Sequence, residues 1–326
     1  MAQPNLESFK RRGLALALRA SASVPIVPTA AANGVLLFNG SSGTEFDKIE
    51  RPVDRPFLTG QPFAVGARRA FIEGEFELFP PTKPGAAADS DAVCAPLLLP
   101  AGMTAVKDAV AKTTRYNPIS ANIPISDAKF WHAGTVKQIG AARHNLTNLA
   151  LAVGERFKGN IRIQGDYDTI AEDNLPNITT STVVPTVARA DNTRTTITVD
   201  GGAGLVVWAK SLSVDVGNTI TSKEYTSHKE SGISDRAPTW TLRLAKTALA
   251  DFNPWAVRDS AGVLVVALRL TEKSKLYSEL GIRGQIENIN EVEIDGDYGW
   301  ELTGPCVASD AGGDELYIEF GDSTPP

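Results

Sequence analysis

Three glutamates at alternate positions, Glu73, Glu75 and Glu77 in FIEGEFELF (Phe71 to Phe79), are the residues whose types and spacing say most about chemistry. Successive side chains of an extended chain point to opposite faces, so these carboxylates share one face while Ile72, Phe76 and Leu78 share the other. One face packs and the other repels anions, the pattern of a sheet with one side against a core and one side wet. A second acidic pattern occurs twice, as IRIQGDYD at Ile161 to Asp168 and as VEIDGDYGW at Val292 to Trp300. Asp166 and Asp168, and likewise Asp295, Asp297 and Glu301, offer oxygens of the kind calcium takes. Both sets lack the full ligand complement and glycine placement of an EF-hand loop and read as strand-closing turns.

The remaining reactive residues form no constellation. His132, His144 and His228 are not paired at i,i+4, have no zinc-site spacing, and read as solvated or hydrogen-bonded histidines. Cys94 and Cys306 are far apart, lack CxxC spacing and sit beside apolar residues or proline, which predicts buried free thiols and a reducing compartment. NGSSGT (Asn39 to Thr44) and DGGAG (Asp200 to Gly204) lack the lysine and following helix of a phosphate loop and read as turns, and there is no GxSxG elbow. A carbohydrate-active enzyme would need a carboxylate pair that no spacing here identifies. The chain therefore reads as a non-enzyme without metal or cofactor.

Composition sets the frame for these residues. With 326 residues, 42% of them hydrophobic, there is enough chain for two compact units and too little polarity for disorder. Thirty-two basic against 38 acidic residues give a formal charge of -6, which does not advertise a face for gripping nucleic acid. Lys10, Arg11 and Arg12 followed by GLALALRASA imitate a secretory signal, but Arg19 cuts the apolar run short, so a cytosolic origin without a membrane span is expected.

Strand patterns dominate: GVLLF (Gly34 to Phe38), FIEGEFELF, TITVDG (Thr196 to Gly201), LVVWAKSLSVDV (Leu205 to Val216), TWTLRLA, VLVVALRL (Val263 to Leu270), VEIDG and ELYIEF (Glu315 to Phe320). Helical stretches are expected around Ser90 to Gly102 and Thr247 to Ser260, each kept short or kinked by proline. An Arg-Ala pair precedes an alternating strand in both halves, at Arg69-Ala70 and Arg236-Ala237, then a helical stretch, then strands ending in GDY. This shared order predicts a duplication. The expected division is an N-terminal arm (1–33), a first unit (34–170), an extended linker (171–204), a second unit (205–322) and a loose tail (323–326). The PPTKPGAAADSD stretch and the proline-rich stretch from Tyr116 to Ser126 read as insertions in the first unit. Polar segments around Glu45, Asp47, Glu50 and Arg51, and from Thr221 to Arg236 with Lys223 and His228, predict long hairpins. Such hairpins leave edges open unless a neighbour covers them.

The sequence after Gly13 resembles the major tail tube proteins of long, non-contractile phage tails. GLALALRASASVP, GTEFDKIERP, RRAFIEGEFELF, SLSVDVGNTITSKEY, ISDRAPTWTLRL, ALADFNPW and GGDELYIEF carry the resemblance. It implies tandem β-sandwich or barrel units of the tube type, each with a short flanking helix and a long hairpin that joins neighbouring subunits into a barrel around a channel. Relatives with one such fold per chain form hexameric rings, so a duplicated chain implies a trimeric ring, with a hexamer as the alternative. The implied function is passive: stacked rings through which double-stranded DNA passes without specific binding, in a virion tail assembled in the host cytoplasm, with other tail proteins at the tube ends. Glu73, Glu75, Glu77, Asp215 and Glu224 are the lumen-lining candidates on this reading. Glu45, Asp47, Glu50, Arg51, Lys223, His228 and Arg236 are the candidates for the inter-subunit hairpins. Other readings are a tail terminator, a capsid decoration protein or a secreted β-rich adhesin.

Overall fold

The computed structural model describes residues 12–20, 24–50, 63–81, 83–86, 95–179, 185–225, 228–272 and 275–323. Arg51, Cys94, the arm before Arg12 and the tail after Ser323 lie outside the described residues. The chain is mainly β, with almost every strand in one of two antiparallel sheets. The first half carries β1 (Arg12–Leu18), β2 (Gly34–Val35), β3 (Phe38–Glu50) and β4 (Phe63–Glu77). After helix α1 (Ala95–Leu98) and a 3-10 turn (Leu99–Ala101) come β5 (Met103–Asp108), β6 (Thr113–Pro118), β7 (Ser126–His132), β8 (Thr135–Ala152) and β9 (Lys158–Glu172). The second half carries β10 (Thr193–Val199), β11 (Leu205–Val207), β12 (Ala209–Asp215), β13 (Asn218–Tyr225), β14 (His228–Arg236) and β15 (Thr239–Ala245). Helix α2 (Pro254–Asp259) leads to β16 (Leu264–Thr271), β17 (Leu276–Gly284), β18 (Asn288–Ile294), β19 (Asp297–Pro305) and β20 (Leu316–Asp322).

The larger sheet branches at β8. One edge of this long strand pairs with β9, which pairs with β4 and through it β3. Its other edge is divided. Ser126 to His132 of β7 cover its first half and lead to β1 and β2, whereas Leu149 to Ala152 pair with β12, which leads through β15 and β19 to β18. The second sheet runs β11-β10-β16-β17-β20-β6-β5. Alternate side chains of both sheets meet in one buried cluster that includes Ile72, Phe76, Leu146, Leu212, Trp240 and Trp300 from the first sheet and Tyr116, Val266, Leu280 and Phe320 from the second. Burying such side chains is the main favourable term in folding, at about 1.5–3 kcal/mol each.

Several sequence expectations change here. Arg12–Leu18, expected in an arm, is a strand between β7 and β2, and its Leu14 and Leu16 are in the core. Thr193–Val199, expected in a linker, pairs with β16. Thr113–Pro118, read largely as an insertion, pairs with both β5 and β20. The sheets also cross the expected unit boundary, through β8 with β12 and β6 with β20. LVVWAKSLSVDV is broken at Trp208, where the chain passes from the smaller sheet to the larger. The two GDY copies differ. Asp295 and Gly296, at φ 53 and 92, make the tight turn between β18 and β19, as Asp-Gly favours. Asp166 lies mid-strand, paired with Arg69 on one side and Gly140 on the other.

The order of elements nevertheless repeats. A long hairpin (β3–β4; β12–β13 with β14–β15) precedes a short helix, then a hairpin of the smaller sheet (β5–β6; β16–β17), then a hairpin of the larger one (β8–β9; β18–β19). In both halves the last strand of that final hairpin pairs with the returning strand of the long one, as β9 with β4 and β19 with β15.

Polar groups inside the fold tie the halves together. Asn218 Nδ2 donates to the carbonyls of Ala101 and His144, and its backbone N–H donates to Asn145 Oδ1. Arg236 donates to Asn218 Oδ1 and to the carbonyls of Gly102 and Ile119, with Glu315 at 3.6 Å. Arg236, expected at a subunit interface, is thus spent within the chain. On the opposite flank Asp127 accepts from Arg19 and from the backbone N–H groups of Ile26 and Ala141, pinning the register shift between β7 and β8.

These groups should dominate the chain's stability. Arg236→Ala strands Glu315 and three acceptors in a poorly hydrated site and should cost about 3–5 kcal/mol in urea unfolding; Arg236→Lys should recover only part, since an ammonium lacks the guanidinium fork. His144 is fully buried, donating from Nδ1 to the Leu97 carbonyl and accepting at Nε2 from Ser126. Burial pushes its pKa down to about 4, against the opposing pull of the Leu97 carbonyl. The neutral ring is favoured in the fold, so its stabilisation is complete above about pH 6.5 and is lost as pH falls toward 4, up to about 3 kcal/mol. Unfolding free energies at pH 7.5 and 5 should show this slope, and His144→Gln should flatten it.

Candidate functional site

The site with the clearest design is the face of the larger sheet turned away from the core. Ile72 and Phe76 of β4 are buried, so Glu73, Glu75 and Glu77 point outward together. They do not form a bare carboxylate ladder. Arg162 of β9, directly opposite Glu73, donates to it at 2.5 Å and to Glu45 of β3 at 3.1 Å. Arg156 donates to Glu77 at 2.8 Å. Glu75 accepts from the Asn39 side chain at 3.4 Å, a long contact. The anion-repelling face expected from sequence is therefore largely charge-paired, because the cations come from segments far away in the chain.

The same row of residues occurs in both halves. Reading across β3, β4, β9 and β8 gives Ser41, Glu73, Arg162 and Asn145. Reading across β12, β15, β19 and β18 gives Ser211, Arg243, Glu301 and Asn290. Each row runs hydroxyl, charge, opposite charge, amide, with the sign of the ion pair reversed; Arg243 donates to Glu301 at 2.6 Å. Thr147, Ser213, Thr241 and Thr303 continue the face around these rows, which gives it many weak hydrogen-bonding groups. Among the described residues its cations Arg156, Lys158, Arg162 and Arg243 all sit against carboxylates. Such a surface presents no cluster of unpaired basic groups to hold a phosphate chain.

The other sequence candidates fall elsewhere or play local roles. Asp215 shares this face at the end of β12, but its carboxylate accepts from the Gly217 N–H and turns the chain into β13. Glu224 is on the separate β13–β14 hairpin, paired with Lys229 at 2.5 Å. Lys223 lies opposite Glu230 on that hairpin, and His228 opens β14 with its side chain outside the described residues. Glu45, Asp47 and Glu50 lie on β3, where Asp47 meets Arg69 at 3.3 Å and Glu50 meets Lys48 at 2.9 Å. Sequence reading missed the apolar side of the same hairpin. Phe46 and Phe63 stack at 6.0 Å and, with Val65, remain about half exposed on one side, while Ile49 is about half exposed on the other.

Reactive chemistry elsewhere is muted. On the outer face of the smaller sheet the Tyr277 hydroxyl donates to Glu319, the Tyr317 hydroxyl to Glu279, and Arg269 to Glu279, all within 2.7 Å. Burial first, and then these carboxylates, raise both tyrosine pKa values, the opposite of what a nucleophile needs. Tyr317 lies over Gly281 and Tyr277 over Gly321, where any Cβ would collide with the rings. Burial likewise pushes the Cys306 thiol up to about 12. A cavity of about 550 Å³ beside β1 is lined by Leu14, Val35, Phe130 and Ile178, and among the described residues Arg12 is its one charged side chain and no acid–base pair lines it. Asp295, a calcium candidate, bonds Lys210 at 2.6 Å. Among the described residues no three His, Cys, Asp or Glu side chains gather as metal ligands, and no helix is long and apolar enough to cross a membrane.

A face whose ion pairs are half exposed should matter little for stability, since such pairs contribute about 0–1 kcal/mol. Glu75→Lys should therefore change urea-unfolding stability by less than about 1 kcal/mol, and Glu73→Gln should do no more, in contrast to Arg236→Ala; a loss comparable to that variant would make the face a stability element instead. In comparison with known proteins, no family model matches the chain and no curated protein matches it.

Proposed function

We propose that this chain is a non-enzymatic structural subunit of a phage tail tube, three copies of which close a ring around a channel for double-stranded DNA. One observation carries the reading: an uninterrupted antiparallel band of eight strands, β3-β4-β9-β8-β12-β15-β19-β18, with one face in the core and the other polar. Among the described residues the strands at its two ends pair only inward, β3 with β4 and β18 with β19. A band with a free strand at each end is completed by copies of itself, and closure removes the edges that would otherwise aggregate.

Strand geometry favours three copies. Eight strands about 4.8 Å apart and tilted by about 40° span roughly 50 Å of circumference. One chain closed on itself would leave a bore of about 15 Å, which side chains fill, whereas three give a barrel about 50 Å across at the backbone and six about 100 Å. The threefold barrel admits a duplex with side chains in place; the sixfold one is needlessly wide. On this reading the polar face lines the channel, and its paired charges and hydroxyls let a polyanion pass without holding it. The repeated order of elements makes the ring pseudo-sixfold. The tube belongs to a virion tail assembled in the host cytoplasm, meets other tail proteins at its ends, and needs neither cofactor nor membrane.

Averaged electron micrographs of the purified, concentrated protein test this. Expected are long tubes of stacked rings with threefold symmetry and two sandwich-like lobes per chain. Rings of six chains would overturn the stoichiometry, and single rings or monomers alone would favour a terminator or decoration role.

A further inference from the structure

The chain contains a template for its own contact with a neighbour. Where the halves meet, β8, the first strand of one final hairpin, pairs antiparallel with β12, the first strand of the next long hairpin, with Ala150 opposite Ser213. The strands left open at the ends of the band are the counterparts of these two: β18 is the first strand of the second final hairpin, and β3 the first strand of the first long hairpin. Resting on the ring reading above, we infer that β18 of one copy pairs antiparallel with β3 of the next, repeating the β8–β12 seam between chains.

The matched rows also set the register. Asn145 and Asn290 hold the same place, as do Ser41 and Ser211. Lys158 and Asp297 each lie four residues before the charged residue of their row, Arg162 and Glu301, and their partners are Ala150 and Ile294. Ile294 therefore stands where Ala150 stands, and Gly43 where Ser213 stands. Carrying the seam over places Ile294 opposite Gly43 of the neighbour, and continuing the antiparallel pairing two residues past the end of the template places Val292 opposite Glu45. The chemistry agrees with a close seam. The residues that β12 brings to the polar face at the internal contact are Ser211 and Ser213, met by Ala150 and Ala152, and β3 offers Ser41 and Gly43 at the matching places. Ser41 and Gly43 keep the β3 side of the contact small, which leaves room for Ile294 of the neighbour without displacing the charged pairs of the rows behind them. A β18–β18 or β3–β3 contact would instead make an isolated dimer, closed by its own twofold axis and unable to continue around a ring.

Disulfide trapping in the assembled full-length chain reads out this contact. Ala150→Cys with Ser213→Cys is the control and should give an intrachain bond. Val292→Cys with Glu45→Cys should link copies into covalent trimers on non-reducing gels, while Asn288→Cys with Glu45→Cys, four residues out of register, should not. Assembled rings without the Val292–Glu45 link, or dimers from Val292→Cys alone, would overturn the inference and leave the ring reading standing. The link in open chains of indefinite length would support the edge pairing and sink the closed ring. Should the cysteine variants fail to fold, hydrogen exchange on the unaltered protein decides: amides of 41–45 and 290–294 should gain protection on assembly, and unchanged exchange there in assembled material would reject the seam.

Discussion

The backbone hydrogen bonds of β8 are the constraint on which the rest of this structure depends. A strand in the middle of a sheet must satisfy both edges, because an unmade bond in a dry site costs more than a made one contributes. β8 meets that demand with three strands and one turn. β9 takes one whole edge, and β7 and β12 divide the other between Ala142 and Leu149. The gap is closed by the turn from β12 into β13, where the Val216 N–H donates to the Leu146 carbonyl and Asn218 reaches Asn145 and the His144 carbonyl. Because one strand serves both halves, each half is completed by the other, which is why the core is continuous and the nodes at Asn218 and Arg236 draw on elements from both.

That constraint separates what stabilises the chain from what its surfaces do. The buried groups, His144, Asp127, Asn218 and Arg236, have close partners in sites where losing one strands the rest. The polar face of the band is built differently. Its ion pairs are partly exposed and set among hydroxyls, amides and small or apolar side chains, so it contributes little to folding yet keeps one pattern through both halves. Reversal of the charges between rows, Glu73 with Arg162 and Arg243 with Glu301, preserves pairing while exchanging which strand bears which sign. The outer plate of Tyr277, Tyr317, Glu279 and Glu319 is satisfied in the same thorough way. Neither surface offers a reactive group; what the band leaves open is at its ends.

Local periodicity made some of this legible in the sequence. The alternation of Glu73, Glu75 and Glu77 with Ile72 and Phe76 identified the two faces of β4, and the repeated order of elements pointed to paired halves. The partners of those carboxylates were invisible, because Arg162 reaches Glu73 through a pairing between segments remote in the chain. β8 was missed for a related reason: LTNLALA is poor in β-branched residues, and only its neighbours make it a strand. GLALAL of β1 imitated a signal segment because it is buried on both faces and does not alternate. The GDY tripeptides show the limit most plainly. The glycine of one tripeptide, Gly296, makes a turn with Asp295 at positive φ, whereas that of the other, Gly165, lies in a strand that β4 and β8 hold extended from both sides.

The energetics of a neighbour contact assign different tasks to the strand edge and the hairpin. A seam of four residue pairs, the length of the β8–β12 contact, makes few backbone hydrogen bonds, each worth about 0.5–1.5 kcal/mol net. Association costs roughly 4–15 kcal/mol in lost freedom, so such a seam alone does not hold two copies together. Phe46, Phe63 and Val65 on one face of the β3–β4 hairpin offer the missing term, since full burial of side chains of this size contributes about 1.5–3 kcal/mol each. Phe46 lies next to Glu45 on the edge strand β3, with Phe63 and Val65 beside it on β4, where a neighbour aligned by the seam would cover them. The hydrogen-bonded edge then fixes direction and register, which apolar contact cannot do, and the apolar hairpin supplies the affinity, which the edge cannot.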